Sequence, residues 1–131
     1  MIYLIDTHVL VWWLGDDPKL GKKSRAALAS PSASVMVSAA SIWEMAIKLS
    51  LGKLRLRRAD AAALADLPER CGFKHLPVTA RHAAAVHGLP RHHDDPFDRM
   101  LAAQAVVENL VVVTADERLG QYSSRTLDAS T

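Results

Sequence analysis

The chain has 131 residues, half of them apolar, with 16 lysines and arginines against 14 aspartates and glutamates for a formal charge of +2; that is the size of one domain, and the composition excludes a disordered or fibrous protein. So small a net charge gives no whole-molecule field pointing to nucleic acid. The lone Cys71 excludes an internal disulfide and a cysteine-rich zinc site and fits a reducing cytoplasm, no apolar run reaches the ~20 residues of a membrane span, and the N-terminus lacks the basic start and cleavage site of a signal peptide.

"IYLI" at 2–5 is apolar without alternation, which reads as a strand buried on both faces, and it stops at Asp6. Helical patterns follow over 7–14 and 19–30. "VMV" at 35–37 is a second such strand and leads into helical patterns over 39–51 and 59–70. "FKHLPV" is a weaker strand candidate, followed by helices over 79–87 and 97–109. "LVVV" at 110–113 is the third strong strand, and "RTLDA" closes the series as a weak one. Strands separated by helices predict parallel pairing through right-handed crossovers, hence a three-layer α/β domain over 1–131 with a central sheet of about five strands. There is no internal repeat or low-complexity tract.

In an open parallel sheet, ligands gather beyond the carboxyl ends of the strands. Asp6 follows the first strand directly and Asp116 comes three residues after Val113, so both fall at that rim. Glu44 lies early in the helix that follows "VMV", above the same rim. Ser41-Ile-Trp-Glu44 also matches a capping box, in which the glutamate would satisfy backbone donors, and spacing does not decide between cap and ligand. Pro96 suits the first turn of the last long helix, with Asp95 as its N-cap and Asp98 within the opening turn. A cap accounts for Asp95 but not for Asp98. Like charges this close repel unless a cation or donor compensates. Asp6, Glu44, Asp98 and Asp116 around one crevice call for one or two hard divalent cations, magnesium or manganese.

The histidines do not have zinc-helix spacing: His92 and His93 are adjacent, and His82 and His87 are five apart. They read as exposed or hydrogen-bonded, with His8 a marginal second-layer candidate beside Asp6. Trp12, Trp13 and Trp43 read as core or as a partner-facing patch. Lys48, Lys53, Arg55, Arg57 and Arg58 crowd eleven positions, either as a solvated helix end and loop or as a grip on phosphates. No phosphate-binding glycine loop or serine-nucleophile elbow occurs.

"YLIDTHVLVWWL", "SAASIWEMAIKLSLGKL", "DPFDRMLAAQA" and "VVVTADERL" resemble, in order and over nearly the whole chain, the four blocks of PIN-domain proteins, in particular the VapC-type toxins of bacterial toxin–antitoxin pairs. The resemblance implies a PIN-like α/β/α fold and a magnesium-dependent endoribonuclease that cuts tRNA or ribosomal RNA. It assigns the acidic residues to Asp6, Glu44, Asp98 and Asp116, and it is the family pattern that favours Asp98 over Asp95. Thr7 and Thr114 match positions where the family often has a hydroxyl beside the acids, and Arg99 matches the block with its role open. The departures are Glu117, an extra acid beside Asp116, and the His92-His93-Asp94-Asp95 run, which leaves room for a different ligand set. An antitoxin partner and a homodimer are also implied.

Two other readings remain. A phosphoacceptor switch would use the same acids and magnesium but needs a late lysine at the rim, and no lysine follows Lys74. A catalytically silent RNA- or protein-binding module would use the fold as a scaffold, against which the four intact acidic positions count.

Overall fold

A computed structural model describes residues 1–123 and 125–131. Five parallel strands, β1 (Ile2–Ile5), β2 (Ser34–Ser38), β3 (Lys74–Leu76), β4 (Val111–Thr114) and β5 (Thr126–Asp128), form one sheet in the order β3-β2-β1-β4-β5. The helices are α1 (Thr7–Leu14), α2 (Lys22–Ala29), α3 (Ala39–Ser50), α4 (Arg58–Ala62), α5 (Leu67–Arg70), α6 (Ala80–Ala85), α7 (Pro96–Glu108) and α8 (Glu117–Gly120), with 3-10 turns over Leu64–Asp66 and Val86–Gly88. None of them is long and apolar enough to cross a membrane.

The unbroken apolar strands are explained by two cores. Successive side chains on a strand face opposite sides of the sheet. Ile5, Val35, Val37 and Val113 pack with Val9 and Leu10 of α1, Leu28 of α2 and Met45 of α3. Leu4, Leu76 and Val112 pack on the other face with Leu101, Ala102 and Ala105 of α7 and Leu119 of α8. The chain winds outward from β1 through β2 to β3, then crosses back to place β4 on the other side of β1. The connections therefore diverge to opposite faces between β1 and β4, which opens a crevice above their carboxyl ends.

Both weak strand candidates are strands, at the two edges of the sheet. The helical pattern over 59–70 is interrupted: α4 ends at Ala62, a 3-10 turn follows, and α5 restarts with Pro68, which has no N–H to continue a helical ladder. The helix expected from 19 begins only at Lys22, after Gly21. There the C-terminal segment packs so closely that a Cβ on Gly21 would lie 2.2 Å from the Thr131 carbonyl carbon, while Gly21 N–H donates to Ala129 O at 2.9 Å and Lys23 N–H to Thr131 O at 2.8 Å.

Gly21→Ala forces these backbones apart and should destabilise the fold by about 1–3 kcal/mol. The melting temperature reads this directly, and an unchanged value would mean that the C-terminal segment does not pack on α2.

Candidate active site

Asp6 is the first residue beyond β1 and is 4% exposed. It caps α1, its Oδ1 accepting from Val9 N–H at 2.8 Å, while its Oδ2 accepts from the Thr114 hydroxyl at 2.5 Å. Thr114 ends β4, the strand beside β1, and its oxygen also accepts from Asp116 N–H at 3.0 Å. One hydroxyl thus joins the two acids. Asp116 caps α8, with Oδ1 accepting from the N–H groups of Arg118 at 2.8 Å and Leu119 at 3.4 Å.

Glu44 enters from α3. Its Oε1 accepts from the Thr7 hydroxyl at 2.6 Å and its Oε2 meets Lys48 Nζ at 2.7 Å, one helical turn on. The capping-box alternative does not hold: α3 begins at Ala39, Ser38 is its cap and accepts from Ala40 N–H at 3.0 Å, and Ser41 lies inside the helix. Glu44 is therefore a buried carboxylate held toward the crevice.

Asp98 enters from the first turn of α7. Asp95 caps that helix as expected, its Oδ1 accepting from Phe97 N–H at 2.8 Å and Asp98 N–H at 3.1 Å. His93, just upstream, places Nε2 2.8 Å from Asp116 Oδ2 and 3.0 Å from Asp98 Oδ2. Among the described residues, His93, Asp98 and Asp116 are the group whose ligand atoms lie close enough to hold a metal, all within 4.8 Å of one another.

Burial pushes the Asp98 carboxyl up to about 7, and the charges of Asp95, Asp6 and Glu44 add to it against the opposing pull of His93. Asp6 is also raised, by burial first, against its hydrogen bonds from Thr114 and Val9. Asp116 is held low: burial pulls it upward, but the hydrogen bonds from His93, Arg118 and Leu119 outweigh that. Burial and crowding thus disfavour the ionised form of Asp98 and Asp6, whereas the donors around Asp116 favour it. The site's carboxylate oxygens, with His93 beside them, fit a hard divalent cation.

The remaining expected residues scatter. Arg99 orients no aspartate; its guanidinium donates to Val86 O at 3.1 Å, Pro90 O at 3.2 Å, His93 O at 3.4 Å and the Tyr122 hydroxyl at 3.0 Å, so it clamps the loop before α7. Lys48 sits at the site through Glu44. Lys53 and Arg58 are exposed, and Arg55 and Arg57 line a cleft with Gly15–Pro18, a helix length of ~12 Å from Asp6. Glu117 is exposed at the start of α8, and His8 is exposed beside Trp12. Trp13 packs on Phe73 beneath Arg25, whereas Trp43 is 63% exposed and meets Phe97 at the mouth of a largely apolar cleft of about 660 Å³.

His82 is buried between Thr79 and Glu108, the hydrogen-bonded state expected of such a histidine. His93 is the site residue that spacing did not single out. The available signal was its position two residues before a helix cap within the acidic run.

Residues 3–124 match the family model for the PIN domain. The chain belongs to the PIN-domain family. Ribonuclease VapC22 of Mycobacterium tuberculosis is 28% identical over 120 residues, 91% of this chain and 90% of that protein. Ribonuclease VapC16 of the same organism is 39% identical over 62 residues, 47% and 44% of the two chains. VapBC2 from Rickettsia felis, solved bound to a promoter DNA fragment, superposes with a TM-score of 0.72 at 16% identity over 98% of both chains. VapBC-1 from nontypeable Haemophilus influenzae gives 0.68 at 20% over the full length of both. These structures share the PIN fold.

A raised Asp98 pKa has a definite sign in stability. Between the ordinary carboxylate value near 3.8 and about 7 the folded PIN domain holds a proton the unfolded chain has lost, so without divalent cation its stability should fall as pH rises through that window. Asp98→Asn should flatten the slope and raise stability at pH 7 by on the order of 1–2 kcal/mol, measured by denaturant melts in EDTA at pH 4 to 8; parallel slopes for variant and wild type would refute the assignment.

Proposed function

We propose that residues 1–131 act as one divalent-cation-dependent endoribonuclease domain, the toxin of a toxin–antitoxin pair that acts in the cytoplasm on tRNA or ribosomal RNA and thereby blocks translation. The observation that carries this reading is the crowding of Asp6, Glu44, Asp98 and Asp116 at one crevice, in which Asp98 is pushed up to about 7 by burial and its acidic neighbours. Membership of the PIN family and the ribonuclease relatives support the same reading.

Asp6, Asp98 and Asp116 would hold magnesium, or manganese in its place. When bound, such a cation acidifies an attacking water and stabilises the added negative charge of phosphoryl transfer. Glu44, steadied by Thr7 and Lys48, is assigned as acceptor of the water's proton as the water oxygen bonds to phosphorus and the bond to the departing ribose oxygen breaks, that oxygen taking its proton from solvent. Thr114 holds Asp6 and the Asp116 backbone in register, so the acids are oriented before substrate arrives. Lys48, Lys53, Arg55, Arg57 and Arg58 are assigned to the RNA backbone, which they would position without reading sequence. An RNA that reached from Asp6 to Arg55 would run the length of α1. The antitoxin and a second copy of the chain are the partners, and exposed Trp43 is a better candidate than Trp12 or Trp13 for a surface they cover.

Incubation of the partner-free chain with a mixed RNA pool should give cleavage with Mg²⁺, none with EDTA, and a loss on the order of 100-fold or more in Asp6→Asn and Asp98→Asn. Cleavage that survives EDTA or both substitutions would overturn the assignment. No cleavage of any RNA class would favour the silent binding module.

A further inference from the structure

We propose that His93 is a positioning residue that presents a fixed Nε2–H to the acid cluster, and that it stands outside the ligand set of the cation. This inference rests on the metal-dependent reading above. The distances alone admit the opposite assignment, since His93 Nε2 lies 2.8 Å from Asp116 Oδ2 and 3.0 Å from Asp98 Oδ2, spacings also found between neighbouring ligands of one ion. The other ring nitrogen decides. Nδ1 lies 3.1 Å from the backbone nitrogen of Asp95, whose N–H is aimed at it. A backbone N–H is only a donor, so Nδ1 is the acceptor and carries no proton. A neutral imidazole must then carry its proton on Nε2.

A histidine that binds metal has the reverse arrangement: it gives a lone pair from one nitrogen and donates the proton on the other to a carbonyl or carboxylate. His93 instead offers its acids a proton. It is also poorly placed to change tautomer by turning, because its backbone is held at both ends. His93 N–H donates to the Tyr122 hydroxyl at 2.9 Å, and His93 O accepts from Arg99 Nη1 at 3.4 Å. Asp95 in turn is fixed as the cap of α7. The ring thus hangs from three anchors, with Nε2–H directed at Asp116.

Two consequences follow for the site. Of the chain's own groups, only carboxylate oxygens would then face the cation, a hard donor set that would suit magnesium or manganese rather than zinc. Asp116 Oδ2 is oriented from outside by His93 while Oδ1 is oriented by the first N–H groups of α8, so its carboxylate is set before the ion arrives.

The primary test is ¹⁵N-detected imidazole NMR of the intact chain in EDTA and in saturating Mg²⁺. His93 should be protonated on Nε2 and bare on Nδ1 in both; loss of the Nε2 proton with gain of one on Nδ1 when Mg²⁺ is added would make it a ligand and overturn the proposal. Calorimetric Mg²⁺ binding to two variants supplies the second readout. His93→Asn keeps an acceptor for Asp95 N–H but has no donor at the acids, and should weaken binding about tenfold. His93→Gln reaches the acids with an amide N–H and should recover most of that loss. Wild-type affinity in His93→Asn, or a His93→Gln variant no better than it, would refute the positioning role. Absence of Mg²⁺ binding to the wild type would overturn the metal-dependent reading itself, separately from the tautomer.

Discussion

Register between β1 and β4 sets the geometry of the whole site. Ile5 pairs with Val113 in the parallel ladder, and Asp6 N–H continues it by donating to Val113 O at 3.2 Å. Asp6, just past β1, and Thr114, at the end of β4, consequently lie side by side, close enough for the 2.5 Å hydrogen bond from a hydroxyl that also accepts from Asp116 N–H. A slip of one residue would turn Asp6 to the opposite face and bury a carboxylate in a hydrocarbon core. The two-sided core makes such a slip costly, because Leu4 and Ile5 would exchange faces as well. Packing therefore enforces the chemistry: the same alternation that fills both cores fixes where the acids emerge.

Crowding these carboxylates is costly, and the fold offsets part of the cost with backbone dipoles. Asp6, Asp95 and Asp116 are each the N-cap of a helix and accept N–H groups that would otherwise lack partners. Capping and metal ligation are not rival explanations for such residues, since a carboxylate has lone pairs for both. Asp98 is the exception. It sits inside the first turn, its own N–H is spent on Asp95, and it receives charge from its neighbours without a comparable set of backbone donors. Deeper burial and that asymmetry together separate Asp98, pushed up to about 7, from Asp116, held low, and a cation would supply the compensation Asp98 lacks.

Much of this was legible in the sequence because it depends on local pattern. Apolar strands without alternation announced a sheet covered on both faces, and the acids following them fell at its carboxyl edge. Pro96 and Asp95 marked the start of α7 correctly. What sequence left open was set by tertiary neighbours. Ser41 and Glu44 have capping-box spacing, but Ser38 starts the helix three residues earlier, and the Glu44 carboxylate goes to Thr7 and Lys48. Arg99 sits one residue after Asp98, yet its guanidinium turns to carbonyls and Tyr122 rather than to acids. Arg55 and Arg57, close in sequence to Lys48, follow the chain to the far end of α1. Spacing along a helix or loop fixes which residues are neighbours in sequence, not which partner a long flexible side chain finds.

The loop before α7 shows how a site can depend on residues that do not themselves face it. Tyr122 lies beyond α8, and its hydroxyl takes N–H groups from both His92 and His93 together with the Arg99 guanidinium. Arg99 meanwhile binds carbonyls on either side of the loop, from Val86 to His93. These bonds close a ring linking the start of α7, which bears Asp98, the loop before it and the segment after α8, the helix that Asp116 caps. An arginine here reaches three carbonyls with two nitrogens of one rigid fork, a task for which a lysine's single point charge is poorly suited. The acids can be arranged before any ligand arrives because the backbone that bears them is already cross-braced.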